Sequence, residues 1–203
     1  MKSATIGSKE RNQPVFGGFC LNKAEIILRK IDKRAHNEFL PIVGPEKGRI
    51  IAEEIRKAKP RRILEIGTLI GYSAILMGNV LDKNAQIITI EIHADEAKAA
   101  QENIRKAKIH PKVEVITGDA KQVIPQLKGV FDFVFIDAEK TEYADYIQLV
   151  EDKLRKGTVI VADNAGIFAK QMEEYLDYVR TSSKYRSRYV PVDVDGLEIT
   201  IKL

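Results

Sequence analysis

The chain has 203 residues, 44% of them hydrophobic and 31% charged, enough for one domain with a sizeable core and unlike a disordered or fibrous polymer. Its 33 basic and 29 acidic residues leave a net charge of +4, which fits a mixed-charge solvated surface at least as well as a nucleic-acid footprint. No run approaches a membrane span, and the polar start MKSATIGSKERNQPVFGG lacks the apolar centre of a secretory signal, so a cytoplasmic protein is expected. Cys20 stands alone and cannot form an intramolecular disulfide, and His36, His93 and His110 lack zinc-type spacing.

Residues 1–20 are expected to be a flexible lead-in and residues 21–203 a single domain. From Lys23 to Phe39 the apolar positions Ile26, Ile27, Ile31, Ala35 and Phe39 recur near helical spacing. Gly44 to Ala58 predicts a second helix, with Ile50, Ile51 and Ile55 inward and Pro60 beyond its end. Strands then follow at residues 62–66, 86–91, 113–117, 131–136 and 158–162. Helical segments are predicted at 72–81, 94–107, 120–127, 142–154 and about 168–180. Strict alternation implies a parallel α/β sheet with helices on both faces, because each right-handed crossover needs a covering helix. The tail SRYVPVDVDGLEITIKL offers two strand-like runs about a turn at Asp195-Gly196, so a C-terminal antiparallel hairpin should close the sheet.

Ligands of such sheets bind beyond the carboxyl ends of the strands, where strand order reverses. The loop EIGTLIGYS, residues 65–73, is the first to inspect. Gly67 and Gly71 permit a tight turn and a close backbone approach, but their spacing is not the G-x-G-x-x-G of dinucleotide sites. A pyrophosphate would also sit poorly beside Glu65, with no Lys or Arg in the loop. A ligand with a cationic centre and no phosphate fits better, and S-adenosylmethionine is such a ligand. Glu91, ending the second strand, can accept hydrogen bonds from both ribose hydroxyls. Asp119, ending the third, falls where an adenine contact would lie, or else caps the next helix.

FDFVFID and TVIVADN are apolar strands that end in Asp137 and in Asp163-Asn164. In a parallel sheet both ends open on one rim, so two carboxylates and a carboxamide converge. All-oxygen ligands favour a hard cation, and magnesium tolerates a partial protein shell completed by substrate and water. Lys140 lies three residues past Asp137. A partly desolvated ammonium beside a divalent cation releases its proton more readily, which suits a general base, while the cation acidifies a bound hydroxyl.

ILEIGTLIGYSAILM, ITIEI, VFIDAEK, LRKGTVIVADN and VDGLEITI together resemble the magnesium-dependent O-methyltransferases, the family of catechol and caffeoyl-CoA O-methyltransferases, from about Lys23 to the end. The resemblance implies a Rossmann-like, seven-stranded S-adenosylmethionine methyltransferase fold. It implies magnesium on Asp137, Asp163 and Asn164, Lys140 as base, and a cofactor site lined by Val43, Glu65, Gly67, Ser73, Glu91, Ile92, Asp119 and Ala120, with Asp137 near the methionine end. It further implies a small catechol or caffeoyl-type diol as substrate and a homodimer. Two departures bear on the acceptor. Glu139 replaces the tryptophan that precedes the base lysine in the animal enzyme, and Tyr189 falls nearest the position of a substrate-contacting glutamate. Some bacterial relatives methylate a hydroxyuridine in tRNA, and RTSSKYRSRY, with Arg180, Lys184, Arg186 and Arg188 around Tyr185 and Tyr189, could form a nucleic-acid surface. An edge strand guarded by cations is the plainer reading of that stretch.

Overall fold

The computed structural model describes residues 21–203, so the expectations for residues 1–20 and for Cys20 lie outside the described residues. Seven strands, β1 (Arg62–Ile66), β2 (Gln86–Glu91), β3 (Lys112–Thr117), β4 (Phe131–Ile136), β5 (Leu154–Ala162), β6 (Tyr185–Val192) and β7 (Asp195–Lys202), form one sheet in the order β3-β2-β1-β4-β5-β7-β6. Strands β1 to β5 are parallel, and β7 inserts antiparallel between β5 and β6. The expected parallel sheet with a closing hairpin is what forms. β1 lies between β2 and β4, so strand order reverses there, and the carboxyl ends of these strands open a crevice.

Helices α1 (Lys23–Glu38), α2 (Gly44–Ala58), α3 (Tyr72–Gly78) and α4 (Ala94–Ala107) cover one face, and α5 (Ala120–Val123), α6 (Tyr143–Val150) and α7 (Glu173–Thr181) the other. This explains the nearly unbroken apolar run of β4. Phe133 and Phe135 pack with Ile51, Ile55 and Ile75 on one side, while Val134 and Ile136 pack with Tyr143, Ile147 and Val179 on the other. α1 starts at a capping box in which the Asn22 side chain accepts from the Glu25 amide and the Glu25 carboxylate accepts from the Asn22 amide, each at 2.9 Å.

The departures from expectation have physical causes. The helix expected from about residue 168 starts at Glu173, because the backbone amides of Gly166 and Ile167 both donate to Asp195 Oδ1 at 3.0 Å and hold the preceding segment in turns. The hairpin turns at Asp193-Val194 and not at Asp195-Gly196: Val192 pairs with Asp195 and Pro191 with Gly196, and Asp193 takes the left-handed conformation that aspartate tolerates. β5 begins at Leu154, opposite Phe131, so the helix expected to reach residue 154 ends at Val150 and a short 3-10 turn intervenes.

The cationic stretch near the C-terminus is largely spent internally. Arg180 makes a two-pronged bond to fully buried Glu198 at 3.0 and 2.6 Å, Lys184 pairs with Glu151 at 2.6 Å, and Arg188 pairs with Glu54 at 3.0 Å. β6 is the edge strand these cations guard.

Glu151 ties α6 to the sheet edge, accepting from the hydroxyls of Tyr178 and Tyr185 at 2.7 Å each and from Lys184. Burial alone would raise its carboxyl, but Lys184, the two tyrosines and Lys202 outweigh that and hold it at about 2. Its stabilisation is complete above the unfolded carboxyl's value of ~4.3 and is lost as pH falls from there through about 2. We therefore predict that Glu151→Gln costs roughly 2 to 3 kcal/mol at neutral pH. In denaturant titrations at several pH values, the gap to wild type should narrow on acidification below ~5. A gap independent of pH would remove the ionised carboxylate from the account.

Candidate active site

Hydrogen bonding continues one residue past each central strand. The Gly67 amide donates to Ile90 O at 3.0 Å, Asp137 to Ile66 O at 2.9 Å, and Asp163 to Ile136 O at 2.9 Å. Gly67, Asp137 and Asp163 therefore stand side by side on the carboxyl rim. They border a cleft of about 720 Å³ that also takes in Val43, Ser73, Glu91, Ile92, Asp119, Ala120, Lys140 and Asn164. Of the cofactor, metal and base residues implied by the resemblance, Glu65 alone is absent from its walls, and Gly71 of the loop also lies outside them. Glu65 is fully buried behind the loop, and burial, with Asp137 and Glu91 adding to it, pushes the carboxyl up to about 7 against the neighbouring hydroxyls of Ser73 and Thr89.

Loop 67–71 is held by Glu91, which is buried. One carboxylate oxygen accepts from the Thr68 and Leu69 amides at 3.1 and 2.7 Å, and the other from the His93 amide at 3.0 Å. These bonds retain Leu69 in a left-handed conformation that leucine disfavours. Asp119 caps α5, accepting from the Lys121 amide at 2.8 Å, and also borders the cleft.

At the other end of the cleft Asp163 is 2% exposed, and Asn164 follows it with φ of 63°. Lys47 of α2 reaches between two carboxylates, with Nζ 2.5 Å from Asp163 Oδ1 and 2.5 Å from Asp195 Oδ2. Burial would lower the Lys47 ammonium, but its two partners outweigh it and keep it charged. Burial, and then the Asp137 charge, raise Asp163 to about 7 despite Lys47. Asp195 is held at about 2: burial opposes this, but Lys47, the Ile167 amide and Asn164 prevail. Lys140 Nζ is aimed by Asp137 Oδ1 at 3.0 Å, Ala138 O at 2.8 Å and the buried Tyr143 hydroxyl at 3.3 Å. The rim thus gathers two carboxylates and an amide oxygen next to an oriented amine. Such a donor set suits a hard divalent cation, whose charge would relieve the crowding of Asp137 and Asp163.

The model of a family described as O-methyltransferase matches residues 22–185. The chain belongs to this O-methyltransferase family. It is 36% identical to catechol O-methyltransferase B of Danio rerio over 83% of its own length and 68% of that protein, and 40% identical to the catechol O-methyltransferase of Niastella koreensis over 65% and 62% respectively. The crystal structure of an O-methyltransferase from Bacillus cereus in complex with SAH superimposes with a TM-score of 0.79 at 26% identity, covering 88% of this chain and 91% of that one. Among the described residues of this O-methyltransferase, no helix is long and apolar enough to cross a membrane.

Lys47, Asp195 and Tyr143 escaped the sequence reading. Lys47 looks like an ordinary exposed position of an amphipathic helix, and only the fold brings it to residues 116 and 148 places away. Asp195 lay in VDGLE, a stretch that supported the family resemblance, but read as a turn residue. Glu139 is exposed at the mouth of the cleft, where its carboxylate accepts from the Thr141 hydroxyl at 3.0 Å. Tyr189 is 41% exposed and donates to Asp195 O at 2.8 Å, so it braces the hairpin.

Proposed function

We propose that the chain is an S-adenosylmethionine-dependent, divalent-metal-dependent O-methyltransferase acting on a small aromatic vicinal diol. The observation that carries this reading is the meeting of Asp137, Asp163 and Asn164 on one rim with Lys140 Nζ 3.0 Å from Asp137. The cleft suits a cationic cofactor: Glu91, Asp119, Asp137, Glu139, Glu142 and Asp163 border it against Lys47 and Lys140. Bound magnesium would lower the pKa of an acceptor hydroxyl and neutralise charge, and S-adenosylmethionine would supply the methyl group. Asp137, Asp163 and Asn164 would hold the ion. Glu91 would bind the ribose diol while pinning loop 67–71, and Val43, Ser73, Ile92 and Ala120 would complete the cofactor's walls. Lys140, held in the cleft by Asp137 Oδ1 and Ala138 O, would in its neutral amine form take the acceptor hydroxyl proton on the Nζ lone pair.

A small acceptor is favoured over tRNA because Arg180, Lys184 and Arg188 are committed to Glu198, Glu151 and Glu54, which leaves Arg186 as the one cation of that stretch outside an ion pair among the described residues, too few to track a phosphate backbone. The test of metal dependence is methyl transfer to a catechol in excess chelator, then with magnesium restored. Activity should vanish and return; full activity in chelator would remove the metal from the reaction.

Glu91→Ala should weaken binding of the demethylated cofactor by about tenfold to a hundredfold, since it removes charge-assisted hydrogen bonds and the anchor of the loop. Metal affinity, measured separately by calorimetry, should change little. Joint loss of both would instead indicate a collapsed rim.

A further inference from the structure

Asn164 is the one neutral group in the donor set just described, and an amide can face a cation usefully in only one of its two orientations. Its oxygen is a ligand, whereas its nitrogen carries only hydrogens toward the ion. Asn164 Nδ2 donates to Asp195 Oδ2 at 2.9 Å. An ionised carboxylate only accepts, so this contact requires the nitrogen on the Asp195 side and turns Oδ1 the other way. Asp195 is itself anchored. Its Oδ1 takes the amides of Gly166 and Ile167 at 3.0 Å each, and its Oδ2 also takes Lys47 Nζ at 2.5 Å, which in turn holds Asp163 Oδ1. Asp195 is 6% exposed, so little water competes for these bonds.

We propose that Asp195 is a positioning residue that presents Asn164 Oδ1 to the divalent cation by taking the amide hydrogen of that side chain, with Lys47 locking Asp195 and Asp163 into one frame. The inference rests on the metal reading above and extends it beyond the ligands. Partners that orient metal ligands in this way typically influence metal affinity by about 10- to 100-fold.

The design makes a specific demand on Asp195→Asn. The Gly166 and Ile167 amides need an acceptor, so the new side-chain nitrogen falls where Oδ2 was, facing the Asn164 amide and also Lys47 Nζ, which keeps Asp163 as its partner in this variant and in the charge-conserving exchange. Asn164 must then turn its oxygen toward residue 195 and away from the ion. The exchange Asn164→Asp together with Asp195→Asn conserves net charge and restores a hydrogen bond of opposite polarity, leaving one oxygen of residue 164 for the cation.

The experiment is calorimetric titration of manganese and magnesium into wild type, Asp195→Asn and the exchange variant, without cofactor or acceptor. Binding of the demethylated cofactor and melting temperature are recorded alongside. The expected result is a loss of about tenfold or more in metal affinity for Asp195→Asn, and recovery of most of that loss in the exchange variant. Asp195→Asn within about twofold of wild type, or an exchange variant no better than the single one, would overturn the positioning role while leaving the metal reading intact. If Asp195→Asn does not fold, the exchange variant decides alone: affinity within about tenfold of wild type supports the inference, and a larger loss overturns it. A wild-type protein that binds neither metal would overturn the metal reading and the inference together.

Discussion

Lys140→Met is expected to lower the single-turnover rate of methyl transfer by about 10²- to 10⁴-fold, the usual contribution of a positioned general base, while cofactor affinity stays within a few-fold of wild type. Methionine keeps the length and apolar stem of lysine, so packing over the Tyr143 ring, 5.5 Å from Nζ, is largely retained. What disappears is the amine that Asp137, Ala138 O and the Tyr143 hydroxyl aim into the cleft. Removing a positive charge next to Asp137 should not weaken the metal, so a fall in rate cannot be traced to its loss. Rapid-quench kinetics with saturating cofactor and acceptor, set beside calorimetry of the demethylated cofactor, separate the two effects. An unchanged single-turnover rate would make Lys140 a bystander.

Gly67→Ala should be the most damaging single substitution on the rim. Gly67 has φ of 92°, a conformation that costs an L-residue free energy, and a Cβ there would overlap the backbone carbonyl of Asp137. That carbonyl belongs to the residue proposed to hold the metal and orient Lys140, so the methyl group cannot be accommodated without moving the end of β4. The expected cost is about 3 kcal/mol or more in stability, with methyl transfer reduced to background. Denaturant unfolding together with activity measured below the unfolding transition would check both halves. A variant of wild-type stability and activity would mean the two strand ends are not packed as described.

Much of this architecture could be read from the chain because its signals are local. The apolar runs of β1, β2 and β4 have the bounds expected from sequence, since residues buried on both faces leave no polar alternation to blur them. The aspartates that interrupt such runs at residues 137 and 163 are conspicuous for the same reason. What could not be read depends on partners far along the chain. The late start of α7 and the true hairpin turn both follow from Asp195, whose commitment to the amides of residues 166 and 167 leaves no mark in its own neighbourhood. Lys47 is the same case on a helix. In the stretch that could have formed a basic surface, Tyr185 is 5% exposed on the inward face of β6, while Arg188 stands on the other face and is paired with Glu54, a partner far along the chain.

The proposed reaction is tested most directly by incubating the protein and magnesium with methyl-labelled S-adenosylmethionine and two classes of acceptor in parallel. One is a panel of catechols that includes caffeate and its thioester, and the other is tRNA with and without hydroxylated uridine. The account predicts label on a single oxygen of a catechol, abolished by chelator and by Asp163→Ala, with none in RNA. Label entering hydroxylated tRNA but no catechol would contradict it.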